Sequence, residues 1–157
     1  MKVISFILLS TVLAASFISA NADVCQASGI SNPRTCAQAV QWAVSHISTA
    51  DNPGYYMMCD HVAGLAYGYS ASGFPSAIDQ WDETPSKYKH PGDTNIPAGG
   101  LAFFQIGTYG HVAISIGGSN LISTDINGDG TYTRTTIGDI ESKWGAHYLG
   151  WTNPWFH

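Results

Sequence analysis

Apolar positions change their spacing about two-thirds of the way along this chain. Between Thr35 and Ile47 they recur at Cys36, Ala39, Val40, Ala43, Val44 and Ile47. That stripe has the period of a helix and predicts one, with Thr35 as its N-cap. Asn52-Pro53-Gly54 then breaks the chain. Met58 to Tyr69 predicts a second helix, with Val62, Ala63, Leu65, Ala66 and Tyr69 on its packing faces, and Ser76 to Trp81 a short third. Thr84 to Gly100 reads as loop, because Pro85, Pro91 and Pro97 each remove a backbone donor and fix φ.

After Gly100 the pattern becomes that of strands. Leu101 to Ile106 is almost continuously apolar and His111 to Ile116 alternates. Asn120 to Thr124 follows Gly117-Gly118, and Tyr132 to Thr136 follows Gly128-Asp129-Gly130. Four short strands separated by turn residues predict an antiparallel meander. Ile137 to Trp144 is a candidate final helix, followed by an aromatic tail, Tyr148-Leu149-Gly150-Trp151 and Trp155-Phe156. Helices first and strands second predict an α+β domain, with N-terminal helices packed on a small antiparallel sheet.

Residues 1–22 carry the marks of a signal peptide. Lys2 precedes an apolar stretch from Val3 to Ile18, and Ala20-Asn21-Ala22 offers a small-x-small cleavage site before Asp23. The stretch is short for a membrane span and is interrupted by Ser5, Ser10, Thr11 and Ser16. The expected product is a secreted, extracellular monomer of residues 23–157, one domain with its own core. With 6 Lys and Arg against 11 Asp and Glu, nucleic acid and anionic membrane surfaces are poor partners.

Three cysteines make an odd number for a secreted chain. Cys25 and Cys36 are close enough in sequence to close a small disulfide loop; a Cys36–Cys59 bridge is the alternative. The first pairing leaves Cys59 free at the opening of a helix, with His111 opening a strand downstream. A thiol with a pKa of ~8.5 reacts slowly near neutrality. A helix N-terminus and a neighbouring imidazolium both favour the thiolate, and the same His can then protonate a leaving amine. Ser123 and Asp125 alternate onto one face of the next strand and are the candidates to orient His111. Asp125 is the stronger of the two on chemical grounds, because a carboxylate also stabilises imidazolium.

The order of a Cys-led helix, then Pro97-Ala98-Gly99-Gly100-Leu101-Ala102-Phe103-Phe104, then Gly110-His111-Val112-Ala113-Ile114, resembles the NlpC-type and CHAP-type cysteine peptidases of the papain-like superfamily. The resemblance runs from about Tyr55 to Asn153. It implies a papain-like fold and hydrolysis of an amide bond in peptidoglycan peptides, by an endopeptidase or amidase without a cofactor. Cys59 becomes the nucleophile, His111 the base, and Asp125 or Ser123 the third member. The Asp-Cys-Ser-Gly-Leu signature of the family is here Cys59-Asp60-His61-Val62-Ala63-Gly64-Leu65, with the acid after the Cys. Tyr55 or Tyr56 stands where relatives carry a substrate-facing hydroxyl. Asp60, Trp81 and Trp151 complete the set of candidate substrate contacts; the aromatic tail reads first as core and groove wall, with a carbohydrate-facing role open to Trp81 or Trp151.

Other polar groups have plainer readings. His46, His90, His147 and His157 lack the spacing of metal ligands, and His61 reads as a solvated side chain. Asp125-Ile126-Asn127-Gly128-Asp129-Gly130 matches the first half of a calcium loop, but Thr136 occupies the place of the closing bidentate Glu. A polar hairpin turn is the expectation there. An acyltransferase, a general peptidase, or a catalytically silent binding or effector protein on the same scaffold are the alternatives to a wall hydrolase.

Overall fold

The computed structural model describes residues 25–157, so the predicted leader lies outside the described residues. The chain forms α1 (Cys36–Ser45), α2 (Cys59–Ala66), α3 (Ala77–Glu83), β1 (Lys89–Pro91), β2 (Leu101–Gln105), β3 (His111–Gly117), β4 (Asn120–Thr124), β5 (Tyr132–Thr136), α4 (Ile137–Trp144) and β6 (His147–Thr152). It is a mixed α+β domain built on one antiparallel sheet. Among the described residues no helix is long and apolar enough to cross a membrane.

Local chemistry sets most helix starts. Thr35 and Gln38 form a capping box at α1, the Thr35 hydroxyl accepting from the Gln38 amide while the Gln38 side chain accepts from that of Thr35. Ser76 and Thr136 cap α3 and α4 through the amides of Asp79 and Asp139. The start of α2 differs: Met58 occupies its N-cap and supplies no side-chain bond.

The sheet order is β1-β6-β2-β3-β4-β5. The four consecutive strands β2 to β5 are those the sequence pattern predicted. The aromatic tail, however, is itself a strand: β6 inserts between β1 and β2, pairing Leu101 with Thr152 and His90 with Trp151. Its residues carry no polar–apolar alternation because both sheet faces are covered. On one face α1, α2 and α3 pack over Leu101, Phe103, Val112, Ile114 and Ile122. On the other, Ile137 and Ile140 of α4 pack with Ala102, Phe104, Ala113, Leu121 and Trp151.

Cys25 and Cys36 are bridged, with Cα atoms 6.1 Å apart, and Cys59 is free. The bridge ties the first described residue to the start of α1. Gly99 runs beneath it at φ +94, where a Cβ would lie 2.7 Å from Cys36 Cβ and 2.9 Å from the Tyr67 hydroxyl. Only glycine fits that approach.

Two consequences are measurable. Replacing Cys25 and Cys36 together by Ala should cost about 3 kcal/mol in urea unfolding, the entropy of an 11-residue closure. In the native, non-reduced protein, peptide mapping after iodoacetamide treatment should show label on Cys59 alone.

Candidate active site

The sheet is open at the end where β3 and β4 meet the loop before α2. Here an open groove of about 650 Å³ is lined by Cys59, Asp60, His111, Asp125 and Trp144, among others. Cys59 and His111, read from the sequence as nucleophile and base, therefore share one groove. Cys59 is the first residue of α2 and is half-buried against the helix-covered core. His111 is the first residue of β3 and is buried. Among the described residues no hydrogen bond joins the Cys59 sulfur to the imidazole.

Strand alternation decides what His111 touches. His111 pairs with Phe104 on β2, and its ring lies edge-on to Trp144 of α4, centroids 4.9 Å apart and planes at 83°. Its Nε2 lies 2.7 Å from Ser123 Oγ. The Ser123 hydroxyl also lies 3.0 Å from the Thr124 carbonyl. With the hydroxyl proton donated to that carbonyl, Nε2–H donates to Ser123 and Nδ1 is the basic nitrogen of the neutral ring.

Asp125 takes no part in that contact. The expectation that its carboxylate orients His111 fails because Asp125 turns out of the strand, with φ at +64. One carboxylate oxygen accepts from the Gly130 amide at 2.7 Å and closes the polar hairpin turn. The other accepts from the Met57 amide at 3.0 Å. Met57, at φ +55, is the only other non-glycine residue in the left-handed region among the described residues. Strain of this kind persists only where surrounding bonds hold it. Asp125 thus fixes the turn that leads into the uncapped start of α2, one residue short of Met58 and two from Cys59.

Asp60 is nine-tenths buried and also lines the groove. One of its oxygens accepts the Ser72 hydroxyl, and the other has no partner. Ser72 is brought there because Gly64 lets α2 approach the 71–72 backbone: a Cβ on Gly64 would lie 2.7 Å from Ser72 N.

Burial governs the titration of all three groups. It pushes the Cys59 thiol up to about 12, opposed by the Val112 and Asp60 amides and reinforced by the charges of Asp60 and Asp125. It holds His111 down at about 4. Burial therefore opposes the thiolate–imidazolium pair expected from the sequence, acting against charge on both partners. Burial also lifts Asp60 to about 6, with the Ser72 hydrogen bond opposing it and the Asp79 charge adding to it.

The remaining expected contacts divide. Tyr56 and Asp60 line the groove. Tyr55 instead packs edge-on to Tyr132, centroids 5.8 Å apart. Trp81 lies against Phe103 in the core, with the Lys89 ammonium over its ring. Trp151 is buried in β6, stacked on His90 at 3.6 Å and donating to Asp93. Neither tryptophan faces the groove, because each fills a sheet face. Trp144, Tyr109, Phe74, Met57 and Met58 line it, and sequence reading passed over them as groove residues. Position along the chain gives no sign of which loop aromatics converge. No family model matches this chain, and no curated protein is significantly similar to it.

Asp125→Ala should release Met57 and slow iodoacetamide labelling of Cys59 near neutrality. Removing the Asp125 charge alone would speed labelling, so the sign separates the two effects. In a Met57→Gly background, where φ +55 costs little, Asp125→Ala should have a smaller effect than in wild type; strictly additive rates would show that the two residues do not act together.

The buried titrations also tilt stability in opposite directions. His111 binds its proton less readily folded than unfolded, so its contribution falls as pH drops from about 6.5 through about 4. Asp60 holds its proton more readily folded than unfolded, so its contribution falls as pH rises from about 3.8 through about 6. Urea titrations across this window should show His111→Gln losing stability as pH rises and Asp60→Asn losing it as pH drops.

Proposed function

We propose that this protein is a secreted cysteine hydrolase that cleaves amide bonds in bacterial peptidoglycan peptides, on a papain-like arrangement of the NlpC or CHAP type. The observation that carries the reading is the shared groove: a free Cys59 at a helix start, and His111 hydrogen-bonded to Ser123. The bridge between Cys25 and Cys36 fits an oxidising, extracellular setting, and it leaves the third thiol available.

The chemistry follows from two neutral partners. A carbonyl entering the groove displaces water, and the Cys59 proton passes to Nδ1 of His111 as sulfur bonds to the carbonyl carbon. Nε2–H remains donated to Ser123, so the imidazolium is held in place while it carries the extra proton. The amide at the start of α2 that already favours sulfur charge is placed for the oxyanion as well. The tetrahedral intermediate collapses as Nδ1 returns the proton to the departing amine, leaving a thioester on Cys59. Water then attacks the thioester with His111 again as base; the second tetrahedral intermediate breaks its C–S bond, the sulfur takes the proton back from His111, and the acid product leaves.

Purified peptidoglycan, digested and resolved by mass spectrometry, tests the assignment. Wild-type protein should release peptide fragments, and Cys59→Ala or His111→Ala should cut the rate by about a thousandfold or more. Ser123→Ala, which loosens the ring without removing it, should cost roughly 10- to 100-fold. Because His111 must be neutral to act, the acid limb of the rate profile should fall at about pH 4, well below the ordinary imidazole range. Absence of fragments, or release that survives Cys59→Ala, would overturn the reading.

A further inference from the structure

A second, open cleft of about 380 Å³ lies beside α1 and shares no residue with the groove. Gln38, Gln41, Trp42 and Ser45 reach it from one face of α1, at helical spacing, and Arg34 enters from the segment before the helix. Neither Asp nor Glu lines it, in a chain with 11 acidic residues against 6 basic ones.

Arg34 is held from behind. Its backbone amide donates to the Tyr67 carbonyl, and its Nη1 donates to the carbonyls of Leu65 and Ala66, at 2.6 and 3.1 Å, where α2 ends. Those two bonds use both Nη1 protons. The other edge of the guanidinium, Nε with Nη2, keeps its parallel pair of N–H donors and has no acceptor among the described residues. That edge is the fork a carboxylate accepts with both oxygens. Because the head group is already anchored, little freedom is lost when the fork is filled. Gln38 accepts from the Thr35 amide through its side-chain oxygen, which leaves its NH2 group to donate. Gln41 is exposed on the next turn. The Trp42 ring is fixed by stacking on His46, centroids 3.8 Å apart.

We propose that this cleft binds an acidic sugar, with its carboxylate on the Nε–Nη2 edge of Arg34, its hydroxyls on the Gln38 and Gln41 amides, and its C–H groups against Trp42. A small anion would fill the fork and leave the amides and the ring unused. A neutral sugar would leave the fork unfilled. The site does not depend on the hydrolase reading, since Arg34 is tied to the far end of α2, about 10 Å along the helix axis from Cys59.

NMR titration of the nitrogen-15-labelled protein tests this, with cellobiouronate, cellobiose, acetate and trialanine compared at one ionic strength. Cellobiouronate and cellobiose differ only in a carboxylate against a hydroxymethyl group. Cellobiouronate should shift the side-chain amide signals of Gln38 and Gln41 and the indole signal of Trp42. It should bind about fivefold or more tightly than each of the other three, and added salt should weaken it while leaving cellobiose unchanged. Arg34→Lys keeps the charge but removes the fork, and should cut the preference for cellobiouronate over cellobiose. Because Arg34 also holds the end of α2, exposed Gln41→Ala provides a second variant, expected to weaken both sugars while the preference stays. Absence of shifts at the cleft, or a preference that survives Arg34→Lys in full, would overturn the proposal. So would cellobiose, acetate or trialanine binding as tightly as cellobiouronate, the last two marking a plain anion site or a peptide site instead.

Discussion

At the end of β4 the chain leaves the sheet with two side chains one strand repeat apart, and each reaches a different half of the groove. Ser123 is hydrogen-bonded to His111 Nε2, and Asp125 accepts from the Met57 amide just before Cys59. The thiol belongs to a helix in the first half of the chain and the imidazole to a strand in the second. The Val112 amide, next to His111 in β3, also meets the Cys59 sulfur. A shift of β4 by one residue would turn Ser123 to the opposite face, so strand register is a geometric requirement of the site. That register is set remotely, by Ile114 against Ile122 and Leu121 against Thr135 within the covered sheet.

The same enclosure that makes the geometry firm makes the chemistry reluctant. Burial disfavours charge on sulfur, on the ring and on Asp60 alike. On the proposed hydrolase reading, a pair kept neutral by burial becomes charged as a substrate carbonyl accepts the sulfur. Amide donors from Val112 and Asp60 then matter more than they do at rest, since their effect grows with the charge on sulfur.

How much of this was legible in the chain depends on whether local chemistry or convergence decided it. Thr35, Ser76 and Thr136 announce helix starts because a short hydroxyl side chain satisfies an amide two or three residues on, a purely local event. The strands from Leu101 to Thr136 showed themselves through turn glycines and apolar runs. β6 did not, since a strand covered on both faces looks like any aromatic segment. Ser123 and Asp125 shared a face on paper; the left-handed turn at Asp125 broke that equivalence, and alternation alone contains no sign of where a strand stops. Trp81 and Trp151 looked like ligand rings because large aromatics serve cores and grooves equally well, and only packing separates the uses.

The placement of β6 bears on how the chain is made. β6 follows every other described strand in the sequence yet lies between β1 and β2, so the sheet lacks an interior member until β6 has been made. Long-range pairings of this kind form late. Throughout that interval all three thiols belong to an unfinished chain, and the wrong bridge would consume Cys59. Cys25 and Cys36 are only 11 residues apart, much nearer to each other than Cys25 is to Cys59, and shorter loops close at lower entropic cost. The bridge beside α1 can therefore form before the sheet does, and proximity along the chain protects the third thiol until folding encloses it.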